Sequence, residues 1–176
     1  MARNDKGFTL IEMVLSITLI GLVAVTIGML IYQGTKSYDM LSSQKEIAQQ
    51  GALAMERLSR ELRLVKCTEA GNSCSPSASD ILAMTASEVR FVTTALEGRG
   101  FRLDGGTLRA RDGSGAGDPE YALTDRVTSL TFEYLQDDGS AASSPAEVWM
   151  IDVEMTLSDG TESFPLKARV HPRSFR

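Results

Sequence analysis

The chain falls into three stretches by its pattern of apolar and polar positions. From Phe8 to about Tyr32 it is apolar, broken by one charge, Glu12, and a few hydroxyls. Those 25 residues would extend roughly 37 Å as a helix. That is enough to cross a hydrocarbon core of about 30 Å with some tilt. The helical period then continues with a polar face. Leu41, Ala48, Met55 and Leu62 recur every seven residues, Gln44, Gly51, Leu58 and Val65 follow three places later, and Ile47 and Ala54 widen the stripe. Lys45, Glu46, Gln49, Gln50, Glu56, Arg57, Ser59, Arg60 and Arg63 lie between them. This predicts an amphipathic helix with a core-facing stripe rather than a free coiled coil, whose seam Gln44 and Gly51 would weaken. No proline interrupts residues 8–65, so one helix of roughly 87 Å is expected.

After the helix the period changes. Thr68–Ala86 is rich in Ser, Ala and Gly and reads as a loop, with a short helical turn at Asp80–Thr85. Val89, Phe91 and Thr93 begin an alternating pattern. Gly100–Leu103 and Thr107–Arg111 flank Asp104-Gly105-Gly106, a hairpin signal. Asp112–Glu120 reads as a Gly-rich loop. In Val127–Leu135, Leu130, Phe132 and Tyr134 point one way. In Glu147–Leu157, Trp149, Ile151, Val153, Met155 and Leu157 do the same. Asp159-Gly160 turns the chain into Glu162–Val170, where Pro165 marks an edge or a strand start. The expectation is an α+β fold: a long helix packed on an antiparallel sheet. Its parts are an apolar helix at 8–32, an amphipathic helix at 33–66, a loop at 67–86 and a sheet domain at 87–176.

Composition adds limits. With 176 residues and 43% hydrophobic content, there is room for one anchor and one modest domain. The formal charge of −5 argues against a nucleic-acid surface. Arg57, Arg60, Arg63, Arg90, Arg99, Arg102, Arg109 and Arg111 are candidates for a basic patch, but the interleaved Glu56 and Glu61 favour solvated or subunit-facing charges. Two readings of Cys67 and Cys74 stand open. In an oxidising compartment they would pair, and the short loop they close would contribute about 2.5 kcal/mol. As a metal pair they lack nearby histidine or further cysteine. The chain's one histidine, His171, reads as a surface residue. No serine sits in a Gly-x-Ser-x-Gly elbow, and no catalytic constellation is recognised. Asp112 and Asp118 bound a Gly-rich loop and are weak calcium candidates, short of the carboxylate density of a calcium-binding loop. No other cofactor is expected.

The head of the apolar run carries the most specific text. A carboxylate inside a membrane span costs about 2.5–3.5 kcal/mol at the helix centre on insertion scales, and less near the end. A sequence that keeps only Glu12 there calls for a cation. Gly7-Phe8-Thr9-Leu10-Ile11-Glu12 resembles the prepilin processing motif of type IV pilins and type II secretion pseudopilins. The resemblance implies a leader at 1–7, cleavage after Gly7 by a prepilin peptidase, and methylation of the new N-terminus at Phe8. It places Glu12 at the fifth mature position, where the neighbouring subunit's N-terminal amine would be its cation. A secretory signal peptide is the rival reading, with Leu22-Val23-Ala24 as a weak cleavage site, but the run is longer than the usual 7–15 apolar residues. Arg3 and Lys6, with Asp5 between them, favour a cytoplasmic N-terminus, and Tyr32 and Tyr38 suit the outer interface. The family's helix often holds a proline in its second half; here Gly21 and Gly28 are the weak points.

The later text is similar to PilW-like minor pilins and J-type pseudopilins. It comprises Met55-Glu56-Arg57-Leu58-Ser59-Arg60-Glu61-Leu62-Arg63, Val127–Leu135 followed by Asp138-Gly139, the Val148–Leu157 strand, and the ending Val170-His171-Pro172-Arg173. The resemblance implies a low-abundance subunit that starts or caps a pilus or secretion pseudopilus. It implies a place in the bacterial inner membrane, with the head periplasmic. Its partners would be lipid, the assembly platform and other subunits, met through the N-terminal helix. The alternative is a membrane-tethered adhesin or ligand-binding module on a pilin-like anchor.

Overall fold

The computed structural model describes residues 9–70, 73–160 and 162–175. Helix α1 runs Leu10–Leu62. Ten strands follow: β1 Thr68–Ala70, β2 Ser73–Ser75, β3 Ile81–Met84, β4 Glu88–Val92, β5 Gly98–Asp104, β6 Thr107–Asp112, β7 Glu120–Thr124, β8 Val127–Leu135, β9 Met150–Ser158 and β10 Ser163–Val170. By contact the chain divides into two compact units, Met1–Ser43 and Gln44–Arg176. The expected α+β layout is present.

In the first unit the described residues are helical from Leu10 on, and every large apolar side chain from Leu10 to Ile31 is at least half exposed. In the second unit the helical stripe is buried from Ile47 onward, through Gly51, Ala54, Met55, Leu58 and Leu62, with Val65 just beyond it. Leu41, assigned to the same stripe, is 65% exposed. Gly51 sits where the helix packs against leucines of β9 and β10. A Cβ there would come within 2.7 Å of Leu157 Cδ1 and 3.0 Å of Leu166 Cδ1. Both contacts are with the ends of leucine side chains, which would have to shift to admit a larger residue at position 51.

The β region is two principal sheets, where the sequence suggested one. A five-stranded antiparallel sheet has the order β3-β4-β5-β6-β7, a three-stranded one the order β10-β9-β8, and β1 and β2 form a separate ribbon. The break comes between β7 and β8, where Arg126 takes φ 58° and turns the chain out of the first sheet. Both sheets and the helix still share one core. Leu58, Leu62 and Val65 belong to one cluster with Phe91, Phe101 and Leu108 of the larger sheet and Ile151, Val153, Met155 and Leu157 of the smaller. Burial alternates along β4 and β9 as the sequence pattern requires. Phe91 and Phe101 stack with ring centroids 6.4 Å apart.

Several local expectations need correction. Thr68–Ala86 is not a plain loop: it carries β1, β2 and β3. Ile81–Met84 is a strand instead of a helical turn, because it pairs with β4; a four-residue apolar run does not distinguish the two by period. Glu120–Thr124 is a strand that the sequence did not signal. The Glu147–Leu157 strand begins at Met150, after a 3-10 turn at Pro145–Glu147. The Gly105-Gly106 hairpin is as expected: Asp104 pairs with Thr107, and both glycines take positive φ, 56° and 81°, as a two-residue loop of this kind demands. Pro165 lies on an edge strand, β10.

Candidate assembly helix and the charged face of the head

Gly7 and Phe8, the expected cleavage and methylation positions, lie outside the described residues. The first turn of α1 is closed by Thr9, whose carbonyl accepts from Glu12 N at 3.1 Å and Met13 N at 3.2 Å. Glu12 therefore stands in the first turn, where the exposed N–H groups of a helix favour a carboxylate. The hydroxyls of the apolar run fold back onto the helix. Ser16 donates to Glu12 O at 2.7 Å, Thr18 to Val14 O at 2.8 Å, Thr26 to Val23 O at 2.8 Å and Thr35 to Tyr32 O at 2.9 Å. They need no outside partner in an apolar medium. Glu12 is left as the one formal charge between Thr9 and Thr35.

The rest of this helical face is unbroken apolar surface. An 18-residue window of α1 reaches a mean hydropathy of 2.6 with none of it buried. The helix is long and apolar enough to cross a membrane, and in water such a surface would be strongly unfavourable. Residues 2–28 match the family model of the prokaryotic N-terminal methylation motif. This match supports a likeness to the type IV pilin and pseudopilin superfamily. No curated protein matches the chain. A pilin motif leading into an exposed apolar helix fits a membrane-anchored, pilus-associated protein. Such a motif implies processing by a prepilin peptidase and assembly with other pilin subunits.

Beyond α1 in the chain, Cys67 and Cys74 are joined by a disulfide, with Cα atoms 5.6 Å apart. It pins the β1–β2 ribbon. Asp80, fully buried, organises the segment beyond. Its Oδ2 accepts from Thr68 Oγ1 at 2.7 Å, Ser77 N at 2.9 Å and Ser77 Oγ at 2.7 Å, and Lys66 Nζ stands 3.6 Å from its Oδ1. Burial pushes this carboxyl up, but the Thr68 and Ser77 hydrogen bonds and the Lys66 charge outweigh it, and it ends below its ordinary value.

The outer face of the five-stranded sheet carries Arg90, Arg102, Arg109 and Arg111. Glu120 accepts from Arg102 Nε at 2.8 Å and Nη2 at 2.9 Å and from Arg111 Nε at 3.0 Å. Arg111 also reaches Glu88, 3.3 Å away, and Arg90 Nε lies 3.1 Å from the same carboxylate. Asp104 takes Arg109 at 2.9 Å. Arg57 and Arg60 pair with Glu61 and Glu56 along α1. All of the candidate basic patch except Arg63 is thus matched by carboxylates within the protein. A cleft of about 480 Å³ lies among Arg90, Arg102, Arg111, Glu88, Asp118 and Glu120, three charges of each sign.

Asp112 is paired with Arg99. Asp118 instead holds its own loop, accepting from Gly115 N at 2.6 Å and lying so close to Gly113 that a Cβ there would meet its carboxylate at 2.1 Å. The structure thus gives each of the two aspartates a partner within the protein. Among the described residues no three His, Cys, Asp or Glu side chains gather as a metal site. His171 is exposed and meets the Trp149 ring edge-on at 4.8 Å. The sequence reading did not pick out Asp80 or the Glu120 network. The period-two placing of Glu88, Arg102, Arg109, Arg111 and Glu120 on outward strand positions was the available signal.

The Glu120 network yields a pH prediction. Hydrogen bonds from Arg102, opposed by burial and reinforced by Arg111, hold the Glu120 carboxyl at about 2. The folded value lies below the ordinary one of 4.5, so the contribution is complete above that value and is lost as pH falls towards 2. Urea melts of the full-length chain in detergent at pH 6 and pH 3 should differ by on the order of 2 kcal/mol more in the wild type than in Glu120→Gln. Equal acid sensitivity of the two proteins would mean that Glu120 gains nothing from its arginines.

Proposed function

We propose that this chain is a minor pilin or pseudopilin, a structural subunit with no chemistry of its own that starts or caps a type IV pilus or type II secretion pseudopilus. The observation that carries the reading is the methylation motif at residues 2–28, set on a helix whose apolar residues Leu10–Ile31 are all exposed. A prepilin peptidase cuts after Gly7 and the new amine at Phe8 is methylated. Before assembly the apolar helix holds the subunit in the inner membrane, with the head in the periplasm. On assembly the same surface passes from lipid to the helices of neighbouring subunits. Glu12 pairs there with a neighbour's N-terminal amine, which neutralises both charges in an apolar bundle. The assembly platform supplies the motion, and the head selects the neighbours. The text of residues 55–63 and 127–135 supports a place among PilW-like and J-type subunits.

The test is mass spectrometry of the mature N-terminus from membranes of the native host. The expected result is a chain beginning at Phe8 with a methylated amine. An intact leader in a host with active prepilin peptidase, or a cut near Ala24, would overturn the reading.

A further inference from the structure

The turn between β4 and β5 keeps a residue that the fold itself does not favour. Leu96 has φ 65°. Its N–H donates to Thr93 O at 2.8 Å, Thr93 N donates to Glu97 O at 2.8 Å, and Glu97 N donates to Thr93 Oγ1 at 3.2 Å. A tight turn closing on a left-handed residue is an ordinary way to end a hairpin, but the left-handed position usually holds glycine or asparagine. A leucine there sets its Cβ against the following carbonyl oxygen. The side chain gains nothing in return, for it is 71% exposed. Backbone strain combined with an apolar group left in water is the kind of outlier that persists where function requires it.

The turn is also firmly mounted. Val65 bridges to Thr93, Thr94 N donates to Leu64 O at 2.8 Å and Lys66 N to Val92 O at 2.8 Å. These bonds fasten the tip to the C-terminal end of α1, beside Leu64, which is itself 40% exposed. On the other side of Leu64, Arg63 O accepts from Arg173 N at 3.0 Å, which brings a second arginine to the same place. Arg63 and Arg173 are both exposed, and neither takes part in an ion pair among the described residues. Glu97, the nearest acid in sequence, is taken by Arg99 at 2.8 Å. In a chain of formal charge −5, this end of the head brings the exposed Leu64 and Leu96 and two unpaired arginines onto neighbouring stretches of backbone.

We propose that Leu96, with Leu64, is a docking knob for the head of a neighbouring, different pilin-like subunit whose matching surface is an apolar recess flanked by carboxylates. The two unpaired arginines set the sign of the partner's charge. The rigid mounting keeps the knob in place without an ordering cost on binding. The partner class rests on the reading of the chain as a filament subunit, since the exposed α1 run is what brings heads of such subunits side by side.

The test uses the full-length chain in its native host, with a photo-crosslinking phenylalanine derivative at position 96 and, as control, at the exposed Ala146. The expected result is a product from position 96 alone. It contains a second pilin-like protein whose linked peptide is apolar and acidic, and it is lost in Arg63→Glu/Arg173→Glu. A product with lipid, with a second copy of this chain, or none would overturn the proposal. A paired measurement separates docking from folding. Leu96→Gly relieves the left-handed strain, so its melting temperature in detergent should rise by about 3 °C while its incorporation into filaments falls about tenfold. A lower melting temperature would mean that Leu96 serves the fold. Incorporation equal to wild type would also overturn the knob, provided that Phe8 is processed and Glu12→Ala is excluded in the same host; if those two controls fail, the filament reading itself has failed.

Discussion

Glu12→Ala should insert into the membrane at least as well as the wild type and yet be excluded from filaments. The helix supplies the first half of the argument. Between Thr9 and Thr35 Glu12 is the one charged residue, and the nearby hydroxyls are satisfied by their own backbone. Removing the carboxylate takes away a cost of about 2.5 kcal/mol or somewhat less for a charge near a helix end. Nothing in the described fold loses a partner, because no ion pair holds Glu12 among the described residues. The second half is what the neighbour loses. In the proposed bundle the amine at Phe8 of the adjacent subunit would be left charged in an apolar setting, and leaving one member of a buried pair alone costs about 3–5 kcal/mol. Even a third of that figure is a tenfold effect. The measurement is the ratio of the variant in sheared filaments to that in the membrane fraction, with Glu12→Gln beside it. The glutamine keeps the size and some hydrogen bonding but not the charge, and it should fall with alanine. Normal incorporation of either variant would end the pairing model.

What the sequence disclosed and what it withheld follow from the range of the interactions involved. The apolar run, the lone carboxylate and the motif are local text and were readable. So was the stripe from Ile47 to Val65, because a helical period within one element reports one buried face. The alternation of Leu130, Phe132 and Tyr134, and of Ile151 to Leu157, was readable for the same reason at period two. Leu41 broke the extrapolation: it has the stripe's spacing but belongs to the other compact unit, and period alone does not say where the covering sheet stops. The split into two sheets was hidden because strand pairing between distant segments leaves no mark on local periodicity. β1 and β2 were hidden for a different reason. Their residues are small and polar, and the ribbon is held by the Cys67–Cys74 bond and by the segment tied to Asp80, with little apolar burial to announce it. The ion pairs of Glu120 join residues 18 and 9 positions apart in sequence, and only the register of β5, β6 and β7 brings them together.

The two sheets nevertheless share a core, and that predicts the second large effect. Phe101→Ala should destabilise the whole head, not the five-stranded sheet alone. Phe101 is 1% exposed, stacks on Phe91, and belongs to the same cluster as Leu58 of α1 and Met155 of β9. Truncating a buried phenylalanine typically costs about 3–5 kcal/mol, part of it from the cavity left behind. For a unit of this size that lowers the melting temperature by about 10 °C or more. The chain's single tryptophan, Trp149, makes the test specific. It lies next to β9, in the other sheet, packed against the shared core. If the sheets melt as one cooperative unit, Trp149 fluorescence and far-ultraviolet circular dichroism should shift together in Phe101→Ala. If the tryptophan transition stayed at its wild-type temperature while the dichroism moved, the sheets would be independent folding units. The core seen as continuous would then be two layers in contact. A single cooperative head also bears on the proposed role, since a load arriving through α1 at Leu58 and Leu62 would then be shared by both sheets.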